Sequence, residues 1–141
     1  MNQTVENLLL KLNESQLKPV LDTEGPVLVI AGAGSGKTRV LTSRIAYLVL
    51  EKGVSPSEIL AITFTNKAAK EMKDRLYSFI PDVDRMWCST IHSMCVKILR
   101  SCIERLGYTR NFTIYDETDK DKVVKRICDS IGLPADKHRS E

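Results

Sequence analysis

Short runs of consecutive apolar residues alternate along this chain with segments in which apolar residues recur every three or four positions. The two clearest runs are VLVIA at 27–31 and ILAITF at 59–64. Both are short, rich in β-branched residues and bounded by turn-forming residues, a pattern typical of strands buried on both faces. A shorter run at 87–89 is predicted to form a third strand.

Helical spacing of apolar residues follows each predicted strand, over 38–53, 67–79 and about 92–106. Asn66 is predicted to cap the second of these helices. Strands that alternate with helices in this way usually form a parallel sheet with helices packed on its faces. The predicted fold class is therefore α/β, a parallel sheet with flanking helices.

Two shorter helices are predicted before the first strand. The first covers 5–12, and Asn13 is predicted to cap the second, with Gln16 three residues later as in a capping box. The pattern changes again beyond Gly107, where a strand-like run at 112–115 precedes a charged amphipathic helix. That helix is predicted from Glu117 to Ile131.

The segment between the first strand and its helix, AGAGSGKT, carries the candidate chemistry. Gly34 and Gly36 allow the backbone to turn so that successive N–H groups face a triphosphate, and the following helix adds its positive N-terminal end. Lys37 is expected to neutralise the β- and γ-phosphates, and Thr38 to offer its hydroxyl to Mg²⁺. The sequence therefore predicts a P-loop that binds a nucleoside triphosphate with Mg²⁺, with Lys37 and Thr38 as its catalytic residues.

The first consensus position of this loop holds Ala31 where the full P-loop pattern has glycine. Because this residue ends the strand and needs no positive φ, alanine is tolerated there. The loop residues predicted to bind the nucleotide are Ala31, Gly32, Ala33, Gly34, Ser35, Gly36, Lys37 and Thr38.

Composition and charge change this picture little. Lys and Arg number 21 against 18 Asp and Glu, and the net charge of +3 permits a polyanionic partner without favouring one. No run reaches the roughly 18 apolar residues that a membrane span needs, so we predict a cytoplasmic protein with no membrane partner. None of the 4 cysteines has the spacing of a zinc site.

Four segments occur in an order that is typical of one family. They are LNESQLKPV at 12–20, AGAGSGKTR at 31–39, AITFTNKAAKEMKDRL at 61–76 and STIHSMCVKILR at 89–100. They resemble, in turn, the Q-motif, Walker A, motif Ia and motif Ib of superfamily 1 DNA helicases of the UvrD/Rep/PcrA type. Ala31 matches this family's version of Walker A, and the resemblance covers essentially the whole chain.

The resemblance implies an incomplete RecA-like P-loop NTPase fold, in which 1–110 form the N-terminal part of motor domain 1A, the ATP-binding part. Residues 111–141 would then open the helical subdomain 1B. It further implies an ATP-dependent helicase that moves 3′ to 5′ on single-stranded DNA and unwinds duplex DNA at junctions, in repair or replication. The chain alone is expected to be inactive or nearly so, because the Walker B carboxylates and the catalytic arginines would lie downstream.

The resemblance also assigns roles to single residues. It implies that Gln16 reads the adenine edge and that Arg39 lies against the base, both chemically suitable for a purine. The residues it implies for DNA contact are Thr63, Phe64, Thr65 and Asn66 in motif Ia and Thr90, His92 and Ser93 in motif Ib. An exposed aromatic ring can stack on any base, which suits a motor that moves on any sequence. Ile91 departs from the family, which usually has an aromatic residue there.

Asp116 leaves an alternative open. Taken alone, FTIYDE at 112–117 looks like a Walker B segment. The resemblance instead places this segment at the start of subdomain 1B and makes Asp116 a helix N-cap. Two other functions stay open: a helicase–nuclease subunit, which shares the four motifs, and a self-contained P-loop switch or kinase, which would use Asp116 as its metal ligand.

Overall fold

The computed structural model describes residues 2–132. Over this part of the chain it contains six α-helices and two β-strands. The helices are α1 (Gln3–Leu9), α2 (Glu14–Leu21), α3 (Lys37–Leu50), α4 (Asn66–Tyr77), α5 (Ile91–Cys102) and α6 (Glu117–Ser130), and the strands are β1 (Leu60–Thr63) and β2 (Trp87–Thr90). Short 3₁₀ turns lie at Pro56–Glu58, Val83–Arg85 and Ile103–Leu106. Residues 133–141, the end of the predicted second subdomain, lie outside the described residues.

The chain divides into two compact units, 1–98 and 99–141. The first contains α1 to α4, both strands and most of α5, and the second contains the end of α5 and α6. The boundary between 110 and 111 stays a prediction. None of the helices within 2–132 combines the length and apolar character needed to cross a bilayer.

The strands β1 and β2 pair in parallel, with Leu60 beside Trp87 and Thr63 beside Thr90. Parallel strands need a crossover connection, and α4 supplies it while packing on both strands. The strand–helix–strand–helix order predicted for 59–106 is therefore confirmed. On the other side of the unit, α3 packs against α1, α2 and α4.

The prediction of a buried strand at 27–31 is wrong. Within the described residues the sheet contains β1 and β2 alone, and 27–31 has no strand partner. Leu28 is 85% and Ile30 91% exposed, while Val27 and Val29 border a pocket beside α3. A strand becomes regular only when its backbone N–H and C=O groups pair with a neighbour, and apolar composition supplies no such neighbour.

Two further strand predictions need correction. β1 is a strand, but it is not buried on both faces: Ala61 is buried while Leu60 and Ile62 are exposed. The run at 112–115 forms no strand, and Ile114 and Tyr115 are exposed. In both cases residues with high β-propensity lie where the described chain offers no second layer to cover them.

The predicted helices are confirmed, and polar side chains cap several of them. Asn13 and Gln16 form the predicted capping box at the start of α2. Asp116 accepts a hydrogen bond of 2.8 Å from the Asp119 N–H at the start of α6, as expected for an N-cap. The cap of α4 is Thr65 rather than Asn66, which is the first residue of that helix.

The core of the first unit lies between α4, β1, α3 and the turn before β2. Its buried members are Ile45, Ala61, Met72, Leu76, Ile80, Val83 and Met86. Leu76 and Ile80 are among the largest fully buried side chains. Because α4 contributes Met72 and Leu76 from one face, its amphipathic pattern is what attaches the helix to the sheet.

Three side chains join α4 to the turn before β2. Lys73 Nζ lies 2.7 Å from an oxygen of Asp84, and it also lies 5.9 Å from the centre of the Tyr77 ring. Hydrogen bonds from Lys73 and then from Tyr77 lower the pKa of Asp84. This carboxylate therefore contributes stability above its ordinary pKa, and the contribution is lost as the pH falls through the lowered value. Because Asp84 is exposed, water screens the pair and keeps the contribution small.

The core predicts a clear stability difference between two leucines. Leu76→Ala should lower the free energy of unfolding by about 2–5 kcal/mol, because it leaves a cavity in a close-packed cluster. Urea denaturation followed by circular dichroism measures the change. Leu10→Ala is the matched control: Leu10 is 78% exposed, so its removal should change stability by no more than about 0.5 kcal/mol. Equal losses in the two variants would contradict this core.

Candidate nucleotide-binding loop and nucleic-acid interface

The glycine-rich loop, residues 31–38, leads directly into α3. Gly34 and Gly36 have φ values of 74° and 86°, a left-handed conformation that side-chain-bearing residues rarely adopt. Gly36 is also the N-cap of α3. Because glycine has no side chain, it cannot accept a hydrogen bond from the first N–H groups of the helix, as a serine or aspartate cap would. The start of α3 therefore keeps backbone donors and the positive end of the helix dipole for an anion.

The ammonium group of Lys37 lies over this loop. Lys37 Nζ donates to the Gly32 carbonyl oxygen at 2.6 Å and to the Ala31 carbonyl oxygen at 3.3 Å. Ser35 Oγ donates to the same Gly32 oxygen at 2.8 Å. An anion entering the loop would compete with these carbonyls for the ammonium, and its bond would be the stronger one because both partners are charged.

Gln16 touches the loop from α2. Its Nε2 donates to the Ser35 carbonyl oxygen at 2.9 Å, and its Oε1 accepts from the Asn13 N–H at 3.2 Å. The side chain of Gln16 therefore both completes the cap of α2 and contacts the glycine-rich loop. Sequence reasoning singled out Gln16 and Ser35 separately, but not their contact, because 19 residues separate them.

Thr38 and Arg39 occupy the first turn of α3, and both are exposed. Arg39 borders a pocket with Leu8 and Phe79, whereas Lys37 lines a different pocket next to Val27 and Val29. Gln16 thus lies against the loop, while Arg39 lies on another side of α3.

Arg44 is a residue that sequence reasoning missed. Its guanidinium donates to the carbonyl oxygens of Pro19 and Asp22, at the C-terminal end of α2. It thereby satisfies acceptors that the end of a helix leaves open, and it joins α2 to α3. No local signal could have revealed it, because its partners lie more than 20 residues away along the chain.

Motifs Ia and Ib meet at one end of the two-stranded sheet. Thr63 ends β1, Thr90 ends β2, and the two are direct partners in the parallel register. The carboxyl ends of parallel strands lie at the same edge, so the residues that follow both strands emerge side by side. All the residues predicted to contact DNA belong to these two strand ends and the first turns of α4 and α5.

Phe64 is the most exposed aromatic residue at this edge. Its side chain is 100% exposed, directly after β1. Phe64 is therefore no part of the core that the described residues form. A Phe ring that contributes nothing to the core and lies beside polar groups is available to stack on a flat ligand. Asn66, His92 and Ser93 are exposed at the same edge.

The threonines of this edge have hydrogen-bonding roles within the fold. Thr65 Oγ1 accepts from the Ala68 N–H at 3.1 Å, and Thr63 Oγ1 donates to the Thr65 carbonyl at 3.0 Å. Thr90 is buried, and its Oγ1 accepts from the Ser93 N–H at 3.2 Å at the start of α5. The hydroxyls of Thr65 and Thr90 therefore serve as helix caps in this structure, whatever else they contact.

Comparison with known proteins shows one family to which most of this chain is similar. The family model for the UvrD/REP helicase N-terminal domain matches residues 12–141. The chain is 56% identical over 134 residues, 94% of its length, to the ATP-dependent DNA helicase PcrA of Bacillus subtilis (strain 168). It is 54% identical over 131 residues, 92% of its length, to the protein of the same name from Staphylococcus aureus (strain Mu50).

A third relative, the ATP-dependent DNA helicase PcrA of Staphylococcus epidermidis, is 56% identical over 134 residues. The chain spans 18% of the length of each of these relatives. Because the family model covers most of the chain and the four motifs stand in order, the chain belongs to the UvrD/REP helicase family, whose N-terminal domain it carries.

Proposed function

We propose that the protein carrying this chain is an ATP-dependent DNA helicase. This chain is proposed to supply its ATP-binding loop and part of its binding surface for single-stranded DNA. The observation that carries the proposal is the loop at the start of α3, in which Gly34 and Gly36 have positive φ and Lys37 lies over the loop. In a chain of the UvrD/REP helicase family, this arrangement is best explained by a triphosphate ligand.

The loop residues fit a magnesium–ATP complex. The backbone N–H groups from Gly34 to Lys37 offer donors to phosphate oxygens, and Lys37 supplies a cation that donates to the carbonyls of Ala31 and Gly32. Thr38 offers a hydroxyl to Mg²⁺. When bound, ATP supplies the free energy of its hydrolysis for movement along DNA. These assignments rest on the RecA-like P-loop fold that the family resemblance implies.

Gln16 and Arg39 are proposed to bind the adenine base. A glutamine amide can both donate to and accept from the adenine edge, and a guanidinium plane can stack on a purine. The position of Gln16 beside the loop supports its part of the proposal. Arg39 is exposed on the first turn of α3, but the pocket that it borders lies on another side of that helix from Gln16, so its part of the proposal rests on the family resemblance.

The edge formed by the ends of β1 and β2 is proposed to bind single-stranded DNA. Phe64 would stack on a base irrespective of its identity, while Asn66, His92 and Ser93 would contact the sugar–phosphate backbone. Thr63, Thr65 and Thr90 would complete this contact with hydroxyl groups that also cap or brace the helices. The parallel register supports the proposal, because it gathers both motifs at one edge.

The remaining properties come from the family resemblance alone. We propose that movement is 3′ to 5′, that the natural substrate is a junction of duplex and single-stranded DNA, and that the protein works in the cytoplasm in repair or replication. The Walker B carboxylates and catalytic arginines are proposed to come from parts of the protein other than this chain. Hydrolysis would then need more than the chain itself.

Replacing the loop lysine tests the nucleotide site. Lys37→Ala should lower the affinity of the protein for magnesium–ATP by at least about tenfold, because it removes a charged donor from the triphosphate. Isothermal titration calorimetry measures the affinity. Since Lys37 is exposed, the thermal melting temperature should hardly change.

Lys52→Ala is the matched control, because Lys52 is also an exposed lysine but lies beyond the end of α3. Its ATP affinity should equal that of the wild type. Normal ATP binding by Lys37→Ala would remove Lys37 from the role proposed for it.

Replacing Phe64 tests the proposed binding surface for single-stranded DNA. Phe64→Ala should weaken binding of single-stranded DNA to the full-length protein by about 1–3 kcal/mol, because a stacked base would lose its partner. Fluorescence anisotropy with a labelled oligonucleotide measures the affinity. Phe64→Leu keeps apolar volume without the ring, so it should bind as weakly as Phe64→Ala. Recovery of affinity in the leucine variant would argue against stacking.

Replacing Asp116 tests whether the protein is the proposed helicase or a self-contained switch or kinase. Its carboxylate caps α6, and asparagine caps helices equally well, so Asp116→Asn should leave the ATP turnover of the full-length protein unchanged. A steady-state phosphate-release assay measures turnover. A large loss of turnover in a variant with normal ATP affinity would instead make Asp116 a metal ligand.

A further inference from the structure

The amide of Gln16 is engaged at both ends in the structure. Its Oε1 accepts from the Asn13 N–H at 3.2 Å, and its Nε2 donates to the Ser35 carbonyl at 2.9 Å. Because only one orientation of the amide satisfies a donor on one side and an acceptor on the other, the group is held in place. Gln16 thereby connects the first turn of α2 to the peptide that precedes Gly36.

The close approach of this amide depends on glycine at position 36. A Cβ built on Gly36 would lie 2.8 Å from Gln16 Nε2, nearer than such atoms normally come. Its φ of 86° is what requires glycine at position 36, and the missing side chain also lets the Gln16 amide approach without shifting. The amide and the glycine form a matched pair at the start of α3.

The contact with Gln16 also fixes the orientation of the Ser35–Gly36 peptide. In a trans peptide the C=O and N–H groups point in opposite directions, and the described part of the chain has no cis peptide. When the Ser35 carbonyl is held towards Gln16, the Gly36 N–H must point away from α2. That N–H is one of the donors that the proposed function directs at the triphosphate.

We propose that Gln16 is a positioning residue for the glycine-rich loop: its amide holds the Ser35–Gly36 peptide in the orientation that presents the Gly36 N–H to phosphate. This inference rests on the proposed function of the loop, and it adds a role that does not involve adenine. Loss of the Gln16 amide should therefore weaken the binding of a ligand that contains phosphates but no base.

Inorganic tripolyphosphate with Mg²⁺ is the probe, since it offers phosphates but no base. Gln16→Met keeps the length of the side chain and its helix propensity while removing both hydrogen bonds. In the full-length protein this variant should bind tripolyphosphate about two- to tenfold more weakly than the wild type, the effect of one hydrogen bond. Isothermal titration calorimetry measures both tripolyphosphate and ATP affinity.

Asn13→Ala is the control for the stability of α2. It removes the oxygen that accepts from the Gln16 N–H at 2.9 Å but leaves the Nε2 donor to Ser35 intact. Its tripolyphosphate affinity should stay at the wild-type value. Circular dichroism melts of both variants check that α2 remains folded.

Four outcomes decide the matter. Weaker tripolyphosphate binding in Gln16→Met alone supports the positioning role. Unchanged tripolyphosphate binding with weaker ATP binding would overturn it and leave Gln16 a reader of adenine only, and an equal loss in Asn13→Ala would overturn it by tracing the effect to α2. Failure of the wild-type protein to bind either ligand would refute the proposed function itself, together with this inference.

Discussion

The parallel pairing of β1 with β2 is the interaction on which the geometry of the first unit depends. The two strands stay in register from Leu60 with Trp87 to Thr63 with Thr90, under an apolar cluster to which α4 contributes Met72 and Leu76. Because side chains alternate along a strand, a slip of one residue would turn every inward side chain of β1 to the other face. The buried core therefore keeps the register, and the register keeps motifs Ia and Ib at one edge.

A second constraint acts at the glycine-rich loop, where the chain leaves 27–31 and enters α3. Two left-handed glycines turn the backbone there, and the loop carbonyls are engaged by Lys37 and Ser35 from within and by Gln16 from α2. Arg44 joins α2 to α3 from the other end of α2. Arg44 thus holds α2 against α3 by contacts that lie outside the loop. Through these contacts α2 is positioned to influence the loop that is proposed to bind nucleotide.

At both proposed sites, several of the residues proposed to bind a ligand also make hydrogen bonds within the fold. Thr65 and Thr90 cap helices with the hydroxyls that the proposed function directs at DNA, and Gln16 completes a capping box while it contacts Ser35. Phe64 is the exception, because its fully exposed ring has no role in the core. Variants of Phe64 therefore test the proposed DNA contact separately from the fold, whereas variants of the threonines also remove a helix cap.

The sequence by itself determined the elements whose causes are local. Capping residues at Asn13 and Asp116, helical apolar spacing, and the glycines at 34 and 36 predicted helix starts and the loop correctly, since these depend on neighbours within a few residues. The order of the four motifs likewise indicated the family that the comparisons show.

Only the tertiary structure decided which apolar runs pair and which residues meet. The run at 27–31 has the composition of a buried strand but no partner within the described residues, whereas β1 is a strand because β2 lies beside it. The contacts of Gln16 with Ser35 and of Arg44 with the end of α2 likewise join residues that are distant along the chain. Strand pairing and side-chain contact of this kind depend on distance in space, which local propensity does not encode.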